Sequence, residues 1–130
     1  MAHSYRDLIA WQKAKSLAVE VYRLTAHFPK AEQYGLISQI QRAAISVVSN
    51  IAEGQGRLTR GEFAQFLGHA RGSLLELDSQ LEISLELGYI TKEQLASVSR
   101  LSGDVVALVN RLIESLRKRN KMATSATRET

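Results

Sequence analysis

Three histidines are the first residues in this sequence whose type would suit metal chemistry. Di-metal centres in helical bundles use Glu-x-x-His, because that spacing places a carboxylate and an imidazole on one face of a helix. His27 and His69 would need Glu at positions 24 and 66, where Leu24 and Phe66 stand, and His3 precedes the first predicted helix. Cysteine is absent, so no thiolate replaces them. We therefore expect no metal and no cofactor.

The segment Gly54-Gln55-Gly56-Arg57 has the glycine content of a phosphate-binding loop. It follows a predicted helix rather than a strand, and it lacks the third glycine of a dinucleotide fingerprint and the Gly-Lys-Ser/Thr of a P-loop. The pattern favours a helix end, with both glycines as left-handed caps. One alternative stays open: the next helix begins at Thr59, where free N–H groups, Arg57 and Arg60 would attract a phosphate.

No combination of side chains in the sequence predicts catalysis. A nucleophilic Ser or Thr needs a positioned base and a third orienting group, and no such arrangement is visible. Paired acids such as Glu82 and Glu86 lie on the polar side of a long predicted helix, which is typical of a solvated face. We therefore predict that the protein is not an enzyme.

Positive charge is concentrated at the end of the chain. The 130 residues carry a formal net charge of +4, but residues 1–110 hold eleven basic and eleven acidic side chains, so residues 111–130 account for all of the excess. Helix capping and solubility explain such a cluster; the functional alternative is phosphate binding, which would be sequence-tolerant because no aromatic residue interleaves with these bases. The cluster consists of Arg117, Lys118, Arg119 and Lys121.

A polar stripe follows the second predicted helix on the side opposite its apolar seam. Its members recur at steps of three and four: Gln39, Arg42, Ser46, Asn50 and Glu53. If another helix covered this stripe, its charges would have to be paired, because an unpaired buried charge costs several kcal/mol. We assign Arg42, Asn50 and Glu53 to structure.

A stripe of small residues follows the third predicted helix with the same spacing: Gly61, Ala64, Gly68 and Gly72. An interior glycine costs a helix about 0.8–1 kcal/mol relative to alanine, so Gly68 and Gly72 indicate an offsetting close approach of backbones. The approach would occur either inside one bundle or between subunits.

Four amphipathic segments must position these residues. Apolar residues recur every three or four positions in each segment, and Pro29 ends the first. In the fourth segment the predicted apolar seam consists of Leu95, Val98, Leu101, Val105, Leu108, Leu112 and Leu116. We predict helices over residues 4–28, 32–53, 59–87 and 91–120, the last two opened by Thr-x-x-Glu and Thr-x-x-Gln capping boxes. Short loops make successive helices antiparallel neighbours. The sequence therefore predicts an all-α, up-down-up-down four-helix bundle over residues 1–120, followed by a flexible tail over 121–130.

The compartment is predicted from what the sequence lacks. The absence of cysteine suits a reducing cytoplasm, and the N-terminal residues lack the apolar region of a signal peptide. The longest apolar run, residues 105–109, is far shorter than the ~20 residues of a membrane span. We predict a cytoplasmic protein with no membrane contact.

Several blocks of residues resemble the bacterial four-helix-bundle family encoded by ribosomal-RNA intervening sequences. The resemblance extends over about residues 4–116 and is most specific at two blocks, Tyr34-Gly35-Leu36 and Asn50-Ile51-Ala52-Glu53-Gly54. The sequence departs from many members at Val48, where they carry Pro, and at Gln41, where they carry a second Arg. Further matching blocks are Tyr5-Arg6-Asp7-Leu8, Trp11-Gln12-Lys13-Ala14, Phe28-Pro29, residues 39–44, Phe66-Leu67, residues 70–73, Glu76-Leu77 and Leu87-Gly88-Tyr89.

The resemblance implies a small cytoplasmic bundle that assembles as a ring-shaped homopentamer. The family includes accessory proteins of diversity-generating retroelements, which bind nucleic acid and associate with a reverse transcriptase. We accordingly predict a non-enzymatic homo-oligomer that binds nucleic acid, RNA before DNA, through phosphate contacts. The alternative is a protein-interaction scaffold whose charge only aids solubility. The predicted nucleic-acid contacts are Arg57, Arg60, Arg117, Lys118, Arg119 and Lys121; Arg42, Asn50, Glu53, Gly68 and Gly72 are the predicted structural or interface residues.

Overall fold

Four α-helices form most of the chain. The computed structural model describes the backbone of residues 4–129 and the side chains of residues 4–118. The helices are α1 (Ile9–Thr25), α2 (Leu36–Gln55), α3 (Arg60–Glu86) and α4 (Lys92–Glu129), and 3₁₀ turns at Tyr5–Asp7 and Lys30–Glu32 precede α1 and α2. The described residues contain no strand, so the prediction of an all-α fold is confirmed.

The four helices pack as an antiparallel bundle in which each helix contacts two others. Contacts join α1 to α2, α2 to α3, α3 to α4 and α4 back to α1, whereas the diagonal pairs do not approach each other within the described part of the chain. Two hydrogen bonds set the register of α3 and α4: Arg71 Nη1 donates to Asn110 Oδ1 (3.0 Å), and Ser102 Oγ donates to Asp78 Oδ1 (3.0 Å). From the first bonded pair to the second, the residue number increases on α3 and decreases on α4, so these two helices are antiparallel. The predicted up-down-up-down topology is confirmed.

The core follows the predicted apolar seams on α1, α2 and α3, and on α4 it follows the predicted seam only in part. Val98, Val105 and Leu116 are buried as predicted. Val109 and Ile113 are also buried, whereas the remaining members of the predicted seam are half-buried: Leu95, Leu101, Leu108 and Leu112. Ser102 is 1% exposed, because its hydroxyl donates to Asp78 and this satisfied polar group takes a core position. The seam prediction admitted only apolar residues and therefore passed it over.

Two predicted helix starts are wrong by several residues. The Ser4 hydroxyl accepts a hydrogen bond from the Arg6 N–H (3.2 Å), but this cap opens the 3₁₀ turn, and α1 begins only at Ile9. The second helix was expected near Glu32 and begins at Leu36, because residues 30–32 form the second 3₁₀ turn. Such a turn uses the same local signals as the first turn of an α-helix.

Both predicted capping boxes lie at the starts of their helices. Thr59 Oγ1 accepts from the Glu62 N–H at 3.1 Å, and Thr91 Oγ1 accepts from the Gln94 N–H at 3.1 Å. Gln94 Oε1 also accepts from the Thr91 N–H at 2.9 Å, which completes a reciprocal pair. The starts of α3 and α4 are therefore confirmed. The backbone of α4 is helical to Glu129, which does not test the flexibility of residues 121–130, so the flexible tail stays a prediction.

The prediction of left-handed caps at Gly54 and Gly56 is wrong. Gly54 is a buried residue inside α2, and Gly56 caps that helix in a right-handed conformation with φ −82°. Among the described residues only Gly88, after α3, has positive φ, at 80°. Gly54 has a different role: a Cβ there would lie 2.8 Å from Phe66 Cβ and 3.0 Å from Phe63 Cδ1, so α3 requires a glycine at this crossing.

Candidate nucleic-acid interface

Arg57 lies in the turn between α2 and α3, where two neighbouring side chains hold it. Its guanidinium carbon lies 4.4 Å from the centre of the Phe66 ring, which places a cation over an aromatic face. Its Nη2 lies 4.0 Å from Glu53 Oε2, one helical turn earlier. Since the Arg57 side chain is still 44% exposed, the guanidinium is oriented by the protein and open to an anion from solvent.

The register of α3 and α4 brings Arg60 and the start of the basic cluster to the same end of the bundle. Counting from the hydrogen-bonded pair Arg71 and Asn110, Arg60 lies eleven residues toward the start of α3, and Lys118 lies eight residues toward the end of α4. At ~1.5 Å per residue their heights differ by about 5 Å, one helical turn. Arg57 joins them through the short turn before Arg60.

Four of the six predicted nucleic-acid contacts, Arg57, Arg60, Arg117 and Lys118, therefore gather at one end of the bundle, and all four are exposed. We call this region the basic end. The side chains of the other two, Arg119 and Lys121, lie outside the described residues. Nothing in the sequence spacing alone joins positions 57–60 to positions 117–118; only the antiparallel pairing of α3 and α4 does so.

Carboxylates lie close to two of these cations. Lys118 Nζ is 3.5 Å from Glu114 Oε1, and Arg57 is near Glu53 as described. Both members of each pair are more than 40% exposed, so each ion pair contributes at most ~1 kcal/mol and yields readily to a competing phosphate.

The polar stripe on α2 lines the groove between α2 and α3, where it is only partly covered. Ser46 Oγ and Ser73 Oγ are 2.9 Å apart, and Asn50 Nδ2 donates to the Ser46 carbonyl (2.8 Å) and hydroxyl (3.0 Å). Arg42 and Glu53 are exposed, so neither needs the buried partner that a covering helix would have demanded. Beside Ser46 and Ser73, a cleft of about 280 Å³ is bordered by Arg42 and Glu76.

The glycines on α3 do not serve packing inside the bundle. A Cβ built at Gly61, Gly68 or Gly72 would meet no atom within 4 Å in the described structure. Close approach inside one bundle, one of the two explanations for this stripe, is therefore wrong for these three positions. Their Cβ positions face away from the core, which is where another molecule would approach.

A groove between the end of α1 and the outer side of α2 was not predicted from the sequence. It has a volume of about 920 Å³, and its lining includes Tyr22, Tyr34, Ile45, Lys30 and Arg42. These residues come from two helices and from the connection between them, so no single stretch of sequence carries their pattern. The signal available beforehand was the pair of tyrosines, because neither fits the apolar seam of its segment.

The carboxyl group of Asp78 has a raised pKa. Burial raises the pKa above its ordinary value of 3.8, the hydrogen bond from Ser102 opposes this rise, and the negative charge of Glu82 adds to it. The group faces α4 rather than a cleft, which indicates a structural position. His27 and His69 are exposed, and no cluster of three potential metal ligands occurs in the described part of the chain.

None of the helices, over the residues described, combines the length and hydropathy that a membrane span requires.

Comparison with known proteins shows which family the chain resembles. The family model of the 23S rRNA-intervening sequence protein matches residues 6–111. Among solved structures, the chain resembles a protein of unknown function from the S23 ribosomal protein family of Bacteroides thetaiotaomicron, at 25% identity and a TM-score of 0.76. The match covers 82% of this chain and 96% of that one. No curated protein matches.

Proposed function

The chain belongs to the family of 23S rRNA-intervening sequence proteins, and from that premise we propose that it is a non-enzymatic, homo-oligomeric bundle that binds RNA through phosphate contacts at its basic end. The observation that carries the proposal is the placement of Arg57, Arg60, Arg117 and Lys118 at one end of the molecule. These side chains would contact phosphates rather than base edges, so we expect binding that depends on the charge of the RNA backbone and not on its sequence.

Phosphate binding fits the chemistry of the basic end better than base recognition does. Arg57 is oriented over Phe66, and a guanidinium held in this way offers a fork of N–H donors that matches two phosphate oxygens. The one aromatic ring in contact with this cation, that of Phe66, is half-buried, so it is unsuited to stacking on a base. A-form RNA presents closely spaced phosphates that such a cluster can span.

The proposal includes a cytoplasmic location and a ring-shaped homopentamer, which the family resemblance implies. A ring would place five copies of the basic end on one rim, and five chains of +4 each would carry about twenty formal charges. Such a collar would raise the local concentration of a polyanion more than one copy does.

The test is a salt series of binding to a labelled RNA hairpin, with a DNA duplex of equal length measured alongside it. The variant Arg60→Glu/Arg117→Glu reverses two charges at the basic end. The matched control Lys92→Glu/Arg100→Glu makes the same change in net charge at exposed positions in the opposite half of the bundle. We expect the first variant to lose at least tenfold in RNA affinity at about 50 mM salt. The slope of log affinity against log salt concentration should become shallower by ~2. The control should change affinity less than about threefold.

Absence of wild-type binding at about 50 mM salt would overturn the proposal. Equal losses in the two variants would also overturn the basic end as the site, because they would show only general attraction to net charge. The second candidate function, a protein-interaction scaffold, is favoured by a different observation: large apolar side chains, including Leu75 (64%) and Ile83 (51%), are exposed on α3. A protein that assembles but binds no RNA would fit that function.

A further inference from the structure

The groove between α1 and α2 combines exposed apolar side chains with positive charge. Tyr34 is 92% exposed, Tyr22 43% and Ile45 45%, while Lys30 and Arg42 supply the charge. None of its lining residues is Asp or Glu. We call this surface the tyrosine groove. Its exposed rings and aliphatic side chain favour an occupant with apolar side chains, and its two cations, neither of which forms an ion pair within the described part of the chain, favour one that also carries carboxylates.

The outer face of α3 has the complementary composition. Leu75, Ile83 and Leu87 are 64%, 51% and 53% exposed, although the same helix already buries a separate core face that includes Leu67, Leu74, Leu77 and Leu81. Glu82 and Glu86 flank them, and both are exposed. We call this surface, residues 75–87, the acidic ridge. A helix that is apolar on its core side and again on its outer side is typical of one covered from both directions.

The tyrosine groove and the acidic ridge lie at the same height along the bundle. The hydrogen bond between Ser46 and Ser73 fixes the register of α2 and α3. Ile37 of the groove lies nine residues before Ser46, and Glu82 of the ridge lies nine residues after Ser73, so these two residues are level. By the same count Ile45 is level with Leu74, the neighbour of Leu75. The two surfaces belong to different helices of one chain and face different directions, so a single chain cannot bring them together.

We propose that the tyrosine groove of one chain receives the acidic ridge of a second copy. Lys30 and Arg42 would face the carboxylates of Glu82 and Glu86, while the exposed apolar side chains of both surfaces pack between them. This assignment rests on the self-association included in the proposed function and goes beyond it by naming the two surfaces. The interface is heterologous, so each added chain presents one unused groove and one unused ridge.

Equal heights have a consequence for the form of the assembly. If groove and ridge were displaced along the bundle axis, each added chain would rise, and the assembly would be an open filament. With little displacement between two copies that point the same way, successive chains are related by a rotation about an axis nearly parallel to the helices, and a ring closes when that rotation divides a full turn. Gly72 lies on the same outer face of α3, and its open Cβ position leaves room for a neighbouring backbone.

The charges are tested by reversing them, with mass measured by light scattering in the absence of nucleic acid. The groove variant is Lys30→Glu/Arg42→Glu, and the ridge variant is Glu82→Lys/Glu86→Lys. Each should reduce the mass of the assembly toward that of one chain, 14.4 kDa. The chain that combines all four substitutions has the wild-type net charge and complementary surfaces again, and it should recover the wild-type mass. Misfolding of the double variants would not predict recovery of the mass when their substitutions are combined.

The apolar part of the interface is tested separately. Ile83→Ser/Leu87→Ser removes two ridge side chains that are outside the core, and it should lower the mass without reducing helix content by circular dichroism. Leu58→Ser is the matched control, because Leu58 is 99% exposed and lies at the opposite end of the bundle. That variant should keep the wild-type mass.

Three results would overturn the assignment. The first is a wild-type mass of one chain over the working concentration range. The second is an assembly whose mass is unchanged by both reversals, or a four-fold variant that does not recover it. The third is a groove variant that keeps its mass but loses RNA binding, which would make a nucleic-acid strand the occupant. Loss of RNA binding in basic-end variants with unchanged mass bears on the proposed function alone, so the two failures are distinguishable.

Discussion

Gly54 of α2 packs directly against Phe66 of α3, and a Cβ on the glycine would lie 2.8 Å from Phe66 Cβ. The same ring supports the guanidinium of Arg57 on its face. The crossing of the two helices and the position of one predicted RNA contact therefore depend on the absence of a single methyl group.

The substitution Gly54→Ala should destabilise the protein by ~1–3 kcal/mol, because the added Cβ meets Phe66 Cβ and the Phe63 carbonyl, neither of which is the free end of a side chain. Gly103→Ala is the control, since a Cβ at this exposed position within α4 meets nothing within 4 Å of the described atoms. It should stabilise the protein by ~1 kcal/mol through helix propensity. Urea unfolding of both variants checks the opposite signs; a shared sign would contradict the close packing.

The substitution Gly72→Leu should lower the mass of the assembly measured by light scattering. The new side chain has free space within its own chain, so the bundle should still fold, but it would occupy the room left for a neighbour on the outer face of α3. Gly103→Leu is the matched control on α4. If Gly72→Leu leaves both mass and free energy of unfolding unchanged, the glycine stripe has no part in contact between subunits.

A chain that ends after Leu116 should bind RNA more weakly and with a shallower salt dependence. It loses Arg117, Lys118, Arg119, Lys121 and Arg128, and the salt slope should fall by roughly 0.9 for each phosphate contact removed. A chain that ends after Lys121 retains the whole basic cluster and serves as the control. Identical slopes for these two truncated chains would show that the cluster makes no phosphate contact.

Asp78 makes stability depend on pH in a predictable direction. Burial raises the pKa of this carboxyl group, so the folded chain binds its proton more tightly than the unfolded chain does. The contribution to the free energy of unfolding is therefore fully present below about pH 3.8 and is lost as pH rises through the raised pKa.

Asp78→Asn removes the titrating group and should gain stability relative to wild type as pH increases through this window. Urea unfolding at several pH values measures that difference. Ser102→Ala removes the hydrogen bond that favours the ionised form, so in that variant the loss of stability should extend to higher pH. A difference between Asp78→Asn and wild type that does not change with pH would contradict the raised pKa.

The bundle itself could be predicted from the sequence because its signals are local. Thr59 and Thr91 cap their helices through residues three positions away, and the apolar repeat of each segment reports one face of one helix. The predicted start of the first helix at Ser4 was wrong because the capping hydrogen bond of Ser4 is present but begins a 3₁₀ turn. A local signal identifies a first turn without fixing which helix follows it.

The arrangement of the surfaces could not be predicted in the same way, because it depends on contacts between distant residues. The pairing of Arg71 with Asn110 is what brings Arg60 to the height of Lys118, and the sequence carries no mark of that register. Gly54 was expected to end a helix, and its actual role follows from Phe66 on another helix. The burial of Ser102 likewise follows from Asp78 on α3.

The reversal of direction at Gly88 gives the molecule a practical asymmetry for labelling. An even number of antiparallel helices leaves Ser4 at the same end of the bundle as Lys118, so a fluorescent protein attached at Ser4 would crowd the predicted RNA contacts. The turn after α3 lies at the far end. Because the natural sequence has no cysteine, Glu93→Cys would accept a single dye there, exposed in the first turn of α4. A reporter at that position would leave the basic end unobstructed while RNA is titrated.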